Sequence, residues 1–256
     1  MKVVSVLNFK GGTGKSSVVE NLAHAVALEG YDVLVLDGDR QRNSTDTLLG
    51  MPDITPTLAD VMQMKVPLTN AIRQAREHLY VVPSDTDLEK VGTYLKEHRR
   101  AYTHVRRELQ TLGERYALVL VDHAGAYSTV MEALLLASTH MLIPCELEPY
   151  SVQGLFDMFA KLQQELEDHE LQNAGIIPYN TNYSKKMTQQ YIDELKEEFG
   201  DLVTEPISTD TNVSYAQSNK MTLFEYEKAE RIKSQAAKDF RVLARRFLPI
   251  QQGVEI

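Results

Sequence analysis

Two lysines share one glycine-rich turn, Phe9-Lys10-Gly11-Gly12-Thr13-Gly14-Lys15-Ser16-Ser17. Glycines at 11, 12 and 14 permit positive φ and a close backbone approach to an anion. A helix beginning at Lys15 would aim its unpaired N–H groups and its dipole at the same point. The turn therefore reads as a phosphate cradle built from Gly11, Gly12, Thr13, Gly14, Lys15, Ser16 and Ser17. Lys15 supplies a point charge for the outer phosphates of a nucleotide, and Ser16 a hydroxyl for Mg²⁺, a hard cation that takes few protein oxygens. A second group of acids suits the same chemistry. Asp37 and Asp39 stand two residues apart in extended chain and would face one side. There they could hold Mg²⁺ through water and orient an attacking water, since phosphoryl transfer asks of the protein mainly positioning and charge compensation. The apolar run Leu118–Val121 ends in Asp122, the form of a Walker B strand, and Asp122-His123-Ala124-Gly125 fits a loop whose glycine senses a γ-phosphate. His123 is expected to pack or to orient a neighbour.

Positioning these groups requires strands that end on them. Apolar, β-rich runs recur at residues 3–7, 33–36, 79–82, 118–121, 141–143 and 175–177, with helical patterns between most of them. That alternation predicts an α/β fold with a mostly parallel twisted sheet and helices on both faces, ligands lying beyond the strands' carboxyl ends. Val18, Val19, Leu22, Ala23 and Val26 mark one helical face after the loop. Val152, Leu155, Phe156, Phe159, Leu162 and Leu166 mark another and are expected in the core.

Composition narrows the class. The chain has 256 residues, 43% apolar and 25% charged, which predicts one domain over 1–250 with a short tail, 251–256. No run is long and apolar enough to span a bilayer and no export signal opens the chain, so a cytoplasmic protein is expected. The single cysteine, Cys145, excludes an intrachain disulfide or a thiolate cage and reads as a buried structural thiol. The seven histidines lack metal-ligand spacing. Net charge is −9, yet Lys228, Arg231, Lys233, Lys238, Arg241, Arg245 and Arg246 face only Glu230 and Asp239 between residues 228 and 246. That segment is +5 and the remainder −14, the distribution of an acidic body with one cationic face for a polyanion.

With these residues in place, the chain resembles the ParA/MinD group of deviant-Walker P-loop ATPases, and ParA partition ATPases most of all. The segment from Lys10 through Lys15 and Ser16 looks like their deviant loop, and the acids and amides at Asp37, Asp39, Gln41 and Asn43 like their first switch. Pro144, Glu148, Tyr150 and Gly154, then Gly175 to Ile177, Phe199-Gly200 and Ala236 to Phe240, follow in the same order. The resemblance implies ATP and Mg²⁺ as cofactors, with catalytic roles for Lys10, Lys15 and Asp39. Lys10 would reach the partner's phosphates across an ATP-dependent homodimer, and Asp39 would position water. Ser16, Asp37 and Asp122 would attend the metal, while Pro178, Asn180, Ile207, Thr209 and Thr211 would frame adenine. It further implies nonspecific binding of double-stranded nucleoid DNA, here through Lys228, Arg231, Lys233, Arg241 and Arg245, and a ParB-type adaptor that stimulates hydrolysis. Arg40 stands where the family usually has proline, and His123-Ala124 where Thr-Pro is commoner.

Other classes on the same loop fare less well. A MinD-like membrane ATPase would use Phe240, Leu243, Phe247 and Leu248 beside nearby arginines as an inserting helix, but a last helix needs those residues to dock. An iron–sulfur reductase needs two cysteines per subunit, and Cys145 is alone. A small-molecule kinase or synthetase would leave Lys10 without a phosphate in trans.

Overall fold

The computed structural model describes residues 1–248 apart from Pro52, Glu167, Asp168, Glu170 and Lys185, so the expected tail 251–256 lies outside the described residues. Each expected apolar run forms a strand, and the strands on the runs 33–36, 118–121 and 141–143 extend past them into polar residues. In chain order the elements are β1 (Lys2–Val6), α1 (Lys15–Leu28), β2 (Val33–Gly38), α2 (Asn43–Leu49), α3 (Leu58–Met62), α4 (Leu68–Ala71), β3 (Arg73–Arg76), β4 (Leu79–Val82), α5 (Leu88–Glu97) and α6 (His104–Thr111). Then follow β5 (Leu118–His123), α7 (Thr129–Ala137), β6 (His140–Glu146), α8 (Ser151–Leu166), β7 (Gln172–Tyr179), α9 (Lys186–Phe199), α10 (Thr211–Ser218), α11 (Leu223–Glu230) and α12 (Gln235–Ala244).

The seven strands form one sheet in the order β3-β4-β2-β5-β1-β6-β7. Six run parallel, and β3 pairs antiparallel with β4. Sequence reading passed over β3 because Arg73, Gln74 and Arg76 carry no apolar alternation. As a short edge strand it buries neither face fully, which is where charged residues are tolerated. Val33 to Leu36 and Leu118 to Val121 are wholly buried, as strands covered on both faces must be. The register places Asp37 opposite Asp122 and Gly38 opposite His123, so the carboxyl ends of β2 and β5 deliver two acids side by side next to the end of β1.

Helices close both faces. One core joins α1, α11 and α12 to the sheet through Val18, Leu22, Val26, Phe224, Phe240 and Leu243. The opposite core takes residues from α3 to α7, and α8 covers β6 and β7. In α8, Leu155, Leu162 and Leu166 are buried as expected, but Phe156 is 43% exposed and leans on Phe199 at a 5.3 Å ring separation. Phe240, Leu243 and Phe247 are buried against α1, so the apolar stripe of α12 is a docking face within its own chain. Among the described residues no helix is long and apolar enough to cross a membrane. Because Phe240 is fully enclosed, Phe240→Ala should cost about 3–5 kcal/mol in urea unfolding; a loss under about 1 kcal/mol would mean that α12 is not part of the cooperative core.

Candidate functional site

The loop after β1 is tied down from outside before it turns into α1. Asn8 Nδ2 donates to the Pro144 carbonyl at 2.8 Å, and Asn8 Oδ1 accepts from the Lys10 N–H at 2.9 Å, so β6 anchors the loop's first half. Gly12 and Gly14 then adopt left-handed backbone at φ 78° and 80°. Gly11 does not, correcting the expectation that all three glycines would. At Gly14 any side chain would also have to displace the buried Tyr179 ring, which a Cβ there would overlap. Gly14 caps α1 without a side-chain hydrogen bond, leaving the first N–H groups of that helix available to an anion.

Beyond the loop opens a cleft of about 610 Å³. The phosphate loop and Ser16, Ser17 and Glu20 of α1 form one wall, and Asp39, Asn43, Asp46 and Thr47 another. His123 and Gly125 lie at its base, and Gln217, Ser218 and Lys220 at its far end. Lys15 is 8% exposed and its Nζ donates to the Lys10 carbonyl at 3.3 Å. Burial pulls its pKa down while Asp122 and Asp39 oppose the shift, the setting of a desolvated ammonium surrounded by acids. Thr13 is buried and donates to the same carbonyl at 3.3 Å. Gly125 closes on the loop, its missing Cβ 3.5 Å from Gly11 Cα and 3.7 Å from Lys15 Nζ, where a γ-phosphate sensor would stand.

The two aspartates after β2 part company. Asp37 is fully buried and completely engaged: Oδ1 accepts from the Asp39 N–H at 3.1 Å, and Oδ2 from the Thr45 N–H and hydroxyl at 2.8 and 2.6 Å. It braces the turn with both oxygens occupied, so any part it has in holding Mg²⁺ runs through water, as expected from sequence. Asp39 does line the cleft; its Oδ1 accepts from the Gln41 N–H at 2.9 Å, and its carbonyl from Ser84 Oγ at 2.7 Å. Asp122 is buried with Ser44 Oγ donating to Oδ2 at 2.7 Å, while Oδ1 has no partner. Burial pushes the carboxyls of Asp37 and Asp122 up, and the Ser16 and Ser44 hydroxyls oppose this at Asp122. A free, buried carboxylate oxygen beside the Ser16 hydroxyl is an all-oxygen donor pair, which fits Mg²⁺. Among the described residues no cluster of three acids, histidines or cysteines could hold a metal without further ligands.

Lys10 goes elsewhere. Its side chain is half exposed, outside the cleft, and its ammonium pairs with Glu148, which raises its pKa. His123 is buried with Nε2 2.7 Å from Ser5 Oγ, and burial drives its pKa to about 3. It is neutral and lines the base of the cleft, its Nδ1 buried without a hydrogen-bond partner among the described residues. Cys145 is buried, which raises its thiol to about 11, as a structural cysteine should be.

The residues expected at adenine and at DNA lie away from the phosphate loop. Pro178, Asn180, Ile207, Thr209 and Thr211 do not line the cleft. The Ile207 N–H donates to the Pro178 carbonyl at 2.8 Å and Thr209 Oγ1 to the Asn180 carbonyl at 2.8 Å, stitching the end of β7 to the approach to α10, which Thr211 begins. The far end of α10 reaches the cleft instead, with Gln217 Nε2 donating to Ser17 Oγ at 2.6 Å. In the cationic segment, Lys228, Arg231, Lys233, Lys238 and Arg245 are exposed, and none has an ion-pair partner among the described residues. Arg241 is different: it pairs with Glu227 at 3.3 Å and lies 4.8 Å above the Phe224 ring, a structural role. Sequence reading missed Glu20, Ser44, Gln217 and Lys220. A signal existed only for Glu20, a lone acid four residues after Ser16 on a helix otherwise rich in apolar residues.

A family model described as AAA domain matches residues 1–174. A ParA family protein of Chlamydia muridarum is 31% identical over 229 residues, 88% of this chain and 90% of that protein. Among solved structures, an aspartate-to-alanine variant of Cyanothece McdA with ATP superposes with a TM-score of 0.83 at 22% identity, covering 100% of this chain and 99% of that one. Pyrococcus horikoshii MinD with Mg-ADP gives 0.73 at 22%, covering 95% and 94%. The structures speak to the fold alone, but the sequence relatives and the two-lysine loop agree: the chain belongs to the ParA family of partition-type P-loop ATPases.

Proposed function

We propose that the chain is an ATP-driven positioning protein. ATP with Mg²⁺ closes two copies over their phosphate loops, the closed dimer holds duplex DNA without sequence preference, and hydrolysis stimulated by an adaptor releases it. The observation that carries this reading is the divergence of two lysines in one loop. Lys15 points into its own cleft, 8% exposed, whereas Lys10 stands outside it with half its side chain in solvent. A lysine that cannot serve its own phosphates is suited to serve a partner's.

Within the site each group has a task. The loop N–H groups and Lys15 would hold the phosphates, and Ser16 with Asp122 Oδ1 would hold Mg²⁺, which neutralises charge developing on the phosphate oxygens. Asp39, fixed at its carbonyl by Ser84, would orient water with its remaining oxygen. The unpaired cations Lys228, Arg231 and Lys233 supply the polyanion surface; Arg241, expected to join them, supports the fold there.

The test is retention on random-sequence duplex across a salt series. Wild type with ATP should bind with steep salt dependence, and with ADP weakly. Reversing Lys228, Arg231 and Lys233 to Glu should remove binding while leaving ATPase activity, and each lost phosphate contact should lower the slope of log K against log salt by about 0.9. Binding indifferent to ATP, or unchanged in the triple variant, would overturn the proposal.

A further inference from the structure

Tyr150 stands out of the molecule with no task in its own chain. It is 87% exposed, and among the described residues its ring and hydroxyl meet no partner. It is also held in left-handed backbone at φ 68°, which costs an aromatic residue free energy and which glycine would adopt freely. The turn enforces this conformation. Ser151 Oγ accepts from the Glu148 N–H at 2.9 Å and donates to the Glu146 carbonyl at 2.8 Å, and the first helical bond of α8 runs from the Gly154 N–H to the Tyr150 carbonyl at 2.9 Å. A bulky ring kept in solvent on strained backbone calls for an explanation in function. Beside it lies a groove of about 430 Å³, lined by Phe9 and Lys10 of the phosphate loop and by Gly154, Leu155 and Met158 of α8, with Tyr150 at its rim. Leu155 and Met158 are buried and make its lining apolar, while Gly154 keeps it wide. A Cβ at Gly154 would meet nothing within 4 Å, so the packing of this chain does not require glycine there, and glycine weakens a helix relative to alanine.

We propose that Tyr150 and this groove form a docking face for a second copy of the chain, each Tyr150 ring seating in the partner's groove over the helix turn that lacks a side chain at position 154. Two features select that occupant. Lys10 lines the same groove, outside its own cleft and paired with Glu148, so a second chain that brings its phosphates to Lys10 must cover the groove as it arrives. The patch also carries the projection and the recess together, which makes it self-complementary, as a two-fold contact between identical chains requires. Tyrosine suits the part, since it buries a large rigid ring while giving up little side-chain freedom. The strained Tyr150 and the helical Gly154 each cost the single chain stability, and the paired chains use both.

This inference rests on the two-chain reading above, and the experiment separates the two. The full chain is loaded with a non-hydrolysable ATP analogue and Mg²⁺, and light scattering over a concentration series gives the dimer dissociation constant. The series covers wild type, Tyr150→Phe, Tyr150→Gly, Gly154→Ala and the Tyr150→Gly/Gly154→Ala double variant. Tyr150→Gly should raise that constant about 10- to 100-fold, whereas Tyr150→Phe, which keeps the ring, should stay within about threefold of wild type. Gly154→Ala should raise it about three- to tenfold, and should add nothing once Tyr150 is replaced, because the ring it obstructs is gone. In the single chain the signs reverse. Without nucleotide, Tyr150→Gly and Gly154→Ala should both melt at or above the wild-type temperature, and below dimerising concentrations both should bind a fluorescent ATP analogue as wild type does. A lower melting temperature for Tyr150→Gly would make the ring a structural one and overturn the proposal. A wild-type dimer constant for either single variant, or additive losses in the double variant, would sink the inference and leave the two-chain switch standing. If wild type forms no dimer with the analogue, the two-chain reading falls with it.

Discussion

Lys15→Ala should weaken nucleotide binding by roughly 150-fold and, at ATP concentrations that saturate the wild type, remove most retention on DNA. The ammonium is nearly buried, its pKa lowered by desolvation, and it faces Asp122 and Asp39. A charge held dry against acids is available at full strength to a phosphate, and a charge-assisted contact of that kind contributes about 3 kcal/mol, roughly 150-fold in Kd. The loop itself should survive, because its anchors at Asn8 and its turns at Gly12 and Gly14 do not involve the lysine side chain. Thermal unfolding reports both points. Ligand at 100 times its Kd stabilises the wild type by about 2.7 kcal/mol, and the variant should melt cooperatively with only about 0.3 kcal/mol of stabilisation at the same ATP and Mg²⁺. A variant that shifts as far as the wild type would place the phosphates elsewhere than this loop.

What could be read from sequence was what local pattern encodes. The β-branched runs and the loop's glycines specify β1, α1 and their junction, because strand, tight turn and helix each leave a signature within a few residues. Asp37 and Asp122 were found for the same reason: each ends an apolar run. Their unequal roles were not legible, since Asp37 is engaged by Thr45, eight residues on, and Asp122 by Ser44 on another element. Charge alone likewise could not separate Arg241 from Lys228. That distinction depends on Glu227 and Phe224, which the turn from α11 to α12 brings beneath the guanidinium. The part of α10 in the cleft was not legible because Gln217 meets Ser17 across 200 positions, a contact with no sequence period behind it. β3 escaped notice because an edge strand need not be apolar.

Asp39→Ala should give the opposite outcome to Lys15→Ala: nucleotide retained, turnover lost. The backbone at Asp39 is fixed without its side chain, through the Asp37 carboxylate at its N–H and Ser84 Oγ at its carbonyl. Removing the carboxylate forfeits one loop hydrogen bond, to the Gln41 N–H, which costs about 0.5–1.5 kcal/mol of stability. Lys15, Ser16 and Asp122 remain in place to hold ATP and Mg²⁺. What disappears is the group proposed to orient water, and general-base or positioning groups contribute about 10²- to 10⁴-fold. Steady-state phosphate release should therefore fall by at least about 100-fold, while light scattering with ATP shows a persistent dimer mass that wild type shows only until its ATP is consumed. The pairing of the two results is the discriminating feature. If Asp39→Ala hydrolyses ATP at the wild-type rate, Asp39 leaves the mechanism. If it stops turning over and stays monomeric, Lys10 has no partner phosphate to reach and the two-chain switch falls.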